Sequence, residues 1–297
     1  MIRRFAKLLG LAAVIGLVTG CSQNGMSVAP TTDGTESGSA VTAPLLTDDG
    51  STYTMGGDMI FVKGDPEQQP VVDHLQAAAA TSGALAKSES MRFVIIPGWP
   101  AGRVPYMLVG FTPAEKVIIA QAMATISAKA KVTYVPVTSA AAGYVYVISK
   151  INSTTIGGQS TIGYSQTSYC QLSQVLLPTV IHEFMHGLGF GHEHQRYDRD
   201  KYVVINTANI APGTESQFTK VPQFWSISSA GKTVNYEYSR LMSTYDFASI
   251  MHYPKTAFAS KYGAITINAG GYSNTIGTAQ TLSANDLLAL KAAYGAK

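Results

Sequence analysis

His182-Glu-Phe-Met-His-Gly-Leu-Gly-Phe-Gly-His192 is the stretch on which the reading of this chain turns. Pro178 suits the first turn of a helix, where its missing N–H costs nothing, and the pattern after it is helical to about Gly189. Side chains four apart on a helix share a face. His182 and His186 therefore present two imidazoles to one point, with Glu183 beside them. Gly189 can take the left-handed conformation that ends a helix. The chain then turns, and His192 completes a set of three histidines. Three protein ligands leave one coordination position open, which marks a catalytic rather than a structural zinc site. A bare HExxH arises by chance, whereas HExxHxxGxxH is far more specific. Four of the six histidines lie between His182 and His194, a fifth is His252, and only His74 is elsewhere, which argues further against chance.

Working outward, 297 residues with 46% hydrophobic and 13% charged suit one large globular domain or two modest ones. A net charge of +3 gives no case for a nucleic-acid binder. Two cysteines exclude a disulfide-dense scaffold and a Cys₄ zinc site. The small sum hides an asymmetry. Residues 21–90 hold two basic and nine acidic residues, whereas residues 91–297 hold sixteen basic and nine acidic. An acidic leading segment thus faces a basic remainder, and opposite charge would help the two to dock.

Residues 1–20 read as a signal peptide: Arg3, Arg4 and Lys7 precede the apolar run Leu8–Val18, which is too short to span a bilayer. Leu17-Val-Thr-Gly-Cys21 resembles a bacterial lipobox, in which the Cys is lipidated; the alternative is an ordinary signal with a chance Cys. Residues 21–52 read as a flexible tether, rich in Ser, Thr, Gly and Pro. The chain is accordingly expected to be exported, and either anchored by lipid at Cys21, with the outer membrane suggested by Ser22, or secreted after processing. Cys170 then has no partner within the chain; it either stays a buried thiol, the commoner outcome, or pairs between chains. Gln76–Ser90 reads as a weak helix or a protease-accessible linker. Arg92–Ile96, Val104–Phe111, Val132–Val137 and Tyr144–Ile148 read as extended segments. A helix opens at Thr112-Pro-Ala-Glu115, and a final helix at Ser283 with Asp286 in its third position.

A second motif, Ser249-Ile-Met-His-Tyr253, follows the histidine helix. Together the motifs resemble one family closely. His182–Val203 matches the astacin signature HExxHxxGFxHExxRxDRDxYV at every fixed position, and SIMHY is similar to the family's Met-turn. Trp99–Tyr106 and Thr281–Tyr294 resemble the two ends of an astacin catalytic domain, so the likeness covers roughly Met91–Lys297. It implies an α+β metzincin fold: a twisted, mainly parallel sheet with an antiparallel edge strand, a zinc helix across the cleft floor, and a mostly irregular C-terminal subdomain with a terminal helix. It implies one zinc per chain on His182, His186 and His192, Glu183 as general base and then acid, and Tyr253 as a ligand that swings away to bind the tetrahedral intermediate. Met251 would pack beneath the metal, and Glu193 would meet the mature N-terminus. His194, Arg196, Asp198 and Asp200 would shape the loop that follows. A segment around Gln166–Leu172 would be the edge strand that pairs with substrate.

Phe61-Val-Lys-Gly-Asp65 resembles the family's propeptide motif, which makes Asp65 the expected aspartate switch, a carboxylate on the zinc of the precursor. Residues 53–90 are then a propeptide and 91–297 the catalytic domain. The resemblance implies an endopeptidase acting on protein or peptide substrates, with no nucleic-acid partner, and a monomer is expected. The competing reading is a catalytically silent surface lipoprotein that binds peptide or matrix through the same cleft. The chain departs from the family in lacking its usual pair of disulfides, so the fold must rest on its core.

Overall fold

The computed structural model describes residues 46–55, 57–69, 72–73, 91–93, 98–222, 224–229, 232–237, 239–241 and 243–297. The signal segment, Cys21, the tether to residue 45 and the Ala-rich stretch 76–90 lie outside the described residues. Among the described residues no helix is long and apolar enough to cross a membrane.

The chain opens on a three-stranded meander, β1 (Thr47–Asp48), β2 (Thr52–Met55) and β3 (Met59–Val62), followed by β4 (Met91–Phe93). β5 (Arg103–Val109) leads into helix α1 (Pro113–Ser127) and then β6 (Thr133–Pro136). β7 (Tyr146–Lys150), β8 (Gly158–Thr161) and β9 (Ser168–Leu172) precede helix α2 (Leu177–Gly187). One eight-stranded sheet takes the order β1-β2-β3-β8-β9-β7-β5-β6. β6, β5, β7 and β9 run parallel, and β8 is antiparallel to β9. This is the mainly parallel sheet with an antiparallel strand that the sequence leads one to expect. β1, within the stretch whose composition suggests a tether, and β2 and β3 add three further strands beyond β8.

One strand expectation is corrected. The segment Gln166–Leu172 is not the sheet edge: β9 lies between β8 and β7, with Ser168, Cys170 and Leu172 buried on alternate positions. β8 is the strand whose outer side takes an extended partner, and here that partner is β3, running parallel to it. Of the expected strand Arg92–Ile96, the start is seen in Met91–Phe93, paired with β13 (Ser239–Leu241), and residues 94–96 lie outside the described residues.

After α2 the chain is largely irregular. It holds short 3₁₀ turns, a ribbon of β10 (Val204–Ile205) with β14 (Ile267–Asn268), a hairpin of β11 (Phe224–Ser229) with β12 (Lys232–Glu237), and the terminal helix α3 (Ala284–Tyr294). Both outer helices start as read. Thr112 Oγ1 accepts the Glu115 N–H at 3.3 Å while Glu115 Oε2 accepts the Thr112 N–H at 2.9 Å. Ser283 and Asp286 make the same reciprocal pair at 2.9 Å each way.

The core lies between the sheet and the helices, where Ile119 and Ile126 of α1 and Phe184 and Met185 of α2 meet Ile148 and Leu290. Contacts of the α2 backbone fix its height over the sheet. The Tyr146 hydroxyl on β7 donates to the Glu183 carbonyl at 3.1 Å, and Trp99 Nε1 donates to the Gly187 carbonyl at 2.7 Å. A Cβ on Gly187 would sit 2.5 Å from the Tyr146 oxygen. Gly187→Ala is therefore expected to overpack this junction by roughly 1–3 kcal/mol and lower the melting temperature. Gly271→Ala, with nothing within 4 Å of the added carbon, serves as the neutral control in the same thermal scan.

Candidate metal centre

α2 carries His182 and His186 to the cleft, and Gly189, at φ +95°, reverses the chain so that His192 returns to them. Each ring is oriented from behind. His182 Nδ1 donates to the Ile250 carbonyl at 2.8 Å, and His186 Nδ1 to the Phe190 carbonyl at 2.7 Å. His192 Nδ1 lies 3.1 Å from Gln195 Oε1 and donates to it. With the proton placed on Nδ1 by an oxygen acceptor, each Nε2 carries a lone pair. The Nε2 atoms converge, that of His182 lying 3.0 Å from His186 and 3.3 Å from His192. Burial brings His186 down to about 4, so its neutral form prevails at pH 7.

A carboxylate completes the cluster, and it belongs to Asp58. Its oxygens lie 3.3, 3.5 and 3.1 Å from the Nε2 atoms of His182, His186 and His192. One ligand atom from each of the four residues falls within 4.8 Å of all the others. Burial works to raise the Asp58 pKa, but His192, His182 and His186 hold it well below the usual carboxylate range. Its Oδ1 is buried without a hydrogen-bond partner. Three imidazole nitrogens, on rings whose Nδ1 atoms each face an oxygen, and a carboxylate oxygen crowd together. That donor set fits a divalent cation, and its N and O composition fits zinc.

The expected switch residue, Asp65, is elsewhere. It is buried, but its carboxylate accepts the backbone N–H groups of Glu67 at 3.1 Å, Gln68 at 3.2 Å and Thr167 at 2.9 Å. Both aspartates follow a glycine of positive φ. They differ in what the glycine passes. A Cβ on Gly57 would meet Gln217 Oε1 at 2.7 Å, the Phe258 ring at 3.0 Å and the Tyr253 hydroxyl at 3.2 Å. Gly64 has nothing within 4 Å. The close approach to the metal site is made at Gly57-Asp58, and Gly64-Asp65 is a turn outside the metal cluster.

Glu183 lies beside the histidines, 2% exposed, with Oε2 unpartnered. Burial, then the charge of Asp58, pushes its carboxyl well above the usual range. Gly158 on β8 leaves it room, since a Cβ there would lie 2.7 Å from its Cγ. A cleft of ≈ 270 Å³ opens here, lined by Asp58, Pro178, His182, Glu183, Ile250 and Tyr253 among others. The Tyr253 ring lies 4.5 Å from that of His192 and stacks on His194 at 4.0 Å.

Behind the cluster, Met251 is buried in the main core. The turn that carries it is held from the last helix: Asp286 accepts Ser249 Oγ at 2.6 Å and the Ile250 N–H at 2.9 Å. Because the Ile250 carbonyl orients His182, Asp286 is linked to the metal cluster, a role the sequence reading of a helix cap did not include. Glu193 accepts from Arg196 Nη1 and from the Asp246 N–H, both at 2.7 Å. Arg196 also forks onto Asp198 at 2.9 and 3.0 Å. These three residues are buried, so their pairing stiffens the loop after His192.

Three histidines with outward-bonded Nδ1 atoms and inward lone pairs, beside a buried glutamate, define a zinc metalloenzyme centre, and its cofactor is a single zinc ion. Residues 94–295 match the family model described as Astacin (Peptidase family M12A), and the chain belongs to that family. Among curated relatives, zinc metalloproteinase nas-14 of Caenorhabditis elegans is 36% identical over 190 residues, 63% of this chain and 35% of that one. Zinc metalloproteinase nas-8 of Steinernema carpocapsae is 34% identical over 206 residues, 67% of this chain and 45% of that one. The matched part of the chain thus spans less than half the length of either relative. Among solved structures, high choriolytic enzyme 1, a hatching enzyme zinc-protease from the medaka Oryzias latipes, aligns with a TM-score of 0.52 and 27% identity. That alignment covers 68% of this chain and 94% of that one.

Asp286→Ala removes both bonds to the turn that orients His182. Losing such an outer support is expected to weaken zinc affinity about 10–100-fold, read by competition with a chromogenic chelator on protein that remains folded by circular dichroism.

Proposed function

We propose that the chain is a zinc-dependent endopeptidase made as an inactive precursor, in which Asp58 and β3 fill the place of a substrate. The observation that carries this reading is the buried, unpartnered Oε2 of Glu183 beside three converging imidazoles at the cleft. Bound by His182, His186 and His192, zinc supplies a Lewis acid that brings the pKa of water toward about 7 and polarises a carbonyl. Glu183 accepts the proton of the attacking water and passes it to the leaving amine. Tyr253, against His192, donates its hydroxyl to the oxyanion. The outer edge of β8 offers its backbone to an extended peptide. In the precursor that edge is taken, with the Ser160 N–H donating to the Asp58 carbonyl at 2.7 Å and the Ile162 N–H to the Ile60 carbonyl at 3.3 Å.

Residues 1–20 fit an export signal, 21–52 a tether on lipidated Cys21, and 53–90 the propeptide. Cleavage near residues 77–91 would then free the catalytic part from the membrane, and the new N-terminus would be the partner proposed for Glu193. The sixteen basic and nine acidic residues of 91–297 would leave the processed enzyme basic.

Casein cleavage with and without a chelator tests the activity. Glu183→Gln is expected to keep its zinc and lose nearly all hydrolysis; full turnover by that variant would overturn the role of Glu183. For latency, the full chain bearing Asp58→Ala is expected to cleave without processing, whereas Asp65→Ala leaves the metal covered. An Asp58→Ala chain that is folded, zinc-loaded and inert would remove Asp58 from the switch.

A further inference from the structure

Asp65 is unused by the metal, yet it is buried and bonded across the chain, and its half-buried neighbour Glu67 is bonded across the chain as well. Asp65 Oδ2 accepts the Thr167 N–H at 2.9 Å. Glu67 Oε1 accepts the Tyr144 hydroxyl at 2.7 Å, and its Oε2 accepts the Gln166 N–H at 3.3 Å. Two carboxylates separated by one residue thus sit on three donors from the loops before β7 and before β9.

Those donors are placed by contacts that do not involve the leading segment. Tyr144 has φ +55°, a conformation that costs a bulky residue energy and persists only where surroundings enforce it. Its N–H donates to the Gln166 carbonyl at 2.9 Å, and its ring stacks on Tyr164 at 4.8 Å. Gly143, at φ +73°, approaches Gln166 so closely that a Cβ would lie 2.9 Å from Cγ of Gln166 and 3.1 Å from its carbonyl oxygen. Convergent N–H and O–H donors held this way are suited to anions. From Asp58 at the metal, β3 runs along β8 and its continuation delivers Asp65 and Glu67 to these donors. A peptide laid along β8 in the direction of β3 would follow the same path.

We propose that Tyr144, Gln166 and Thr167 form an exosite for acidic peptide, separate from the metal centre, which the chain's own Asp65-Pro-Glu67 fills in the precursor and an acidic stretch of the polypeptide substrate fills afterwards. This rests on the protease reading for its substrate but not for its chemistry. The ligand class is a pair of carboxylates spaced as in Asp-x-Glu. The hydrogen bond to Glu67 pushes the Tyr144 hydroxyl up to about 12, so it remains a donor across the working pH range.

The test uses the full chain bearing Asp65→Asn and Glu67→Gln, whose own segment no longer presents carboxylates. The probe is a fluorescent peptide of residues 63–69, compared with the same peptide carrying Asn and Gln at the two acidic positions. Fluorescence polarisation is expected to show the acidic peptide binding about tenfold or more tightly, the range of a charge-assisted hydrogen bond. Adding Tyr144→Phe should remove most of that difference. Equal binding of the two peptides, binding of neither, or a preference that survives Tyr144→Phe overturns the exosite. A second arm uses the enzyme processed from the wild-type chain and peptide substrates with Asp-x-Glu or Asn-x-Gln on one side of the scissile bond. The acidic pair is expected to lower KM several-fold with kcat unchanged, and Tyr144→Phe to cancel that gain while cleaving the amide peptide normally. Equal KM for both substrates limits the site to the precursor and overturns its substrate role. Cleavage of neither substrate, with the binding preference intact, counts against the protease reading alone.

Discussion

Three imidazole lone pairs within 4.8 Å of one another repel unless a cation lies among them, and much of this fold serves to keep them there. No ring is held by its own helix alone. The proton of His182 is fixed by a carbonyl in the Met251 turn, that of His186 by the chain just past the helix end, and that of His192 by Gln195. The Met251 turn hangs on Asp286, so α3, about eighty residues beyond the signature, helps to set the angle of one ring. Beneath α2, Tyr146 and Trp99 bind its carbonyls and Gly187 lets it down onto the sheet. The cluster is a point on which distant segments agree, which is how a pre-organised site is built.

The parts of this arrangement that depend on local spacing were legible beforehand. Two imidazoles four apart, a glycine that reverses the chain and two reciprocal helix caps are decided within a dozen residues, and each appears where read. The sheet was legible in type but not in order. β8 and β9 are both short and polar enough to suit an edge, and only the pairing of β9 with β7 on one side and β8 on the other settles that β8 is the outer of the two. The carboxylate at the metal shows the same limit sharply. Gly57-Asp58 and Gly64-Asp65 are alike as dipeptides, and the second has the stronger family likeness. What separates them is whether the glycine must pass Gln217, Phe258 and Tyr253, residues far along the chain. A choice made by non-local packing leaves no mark on the dipeptide.

The leading segment is built into the sheet at several levels. Met55, Met59, Phe61 and Val72 form a small core of their own against Ile162 and Val221. Gln68 ties the far end back, its Nε2 donating to the Ile162 carbonyl at 3.1 Å and its Oε1 accepting the Val62 N–H at 2.7 Å. Apolar burial, strand pairing and buried carboxylates therefore act together along one short stretch. On the other side of the cluster, Arg196 with Glu193 and Asp198 plays the opposite part, a permanent brace in a chain whose one described cysteine, Cys170, is free.

The pairing of β3 with β8 bears on more than the metal. An open strand edge recruits any extended polypeptide, which a peptide-cleaving cleft requires and a newly folding chain must avoid. While β3 is in place, β8 has no free edge. The outermost strand, β1, is two residues long and exposed, too short to template further pairing. In the proposed precursor this would guard the β8 side of the sheet against self-association as well as against premature action. On the proposed reading, losing the segment would add a vacant rim at β8, beside the metal, to the one that β6 presents at the far side of the sheet, so the trimmed protein's solubility would come to depend on what occupies its cleft.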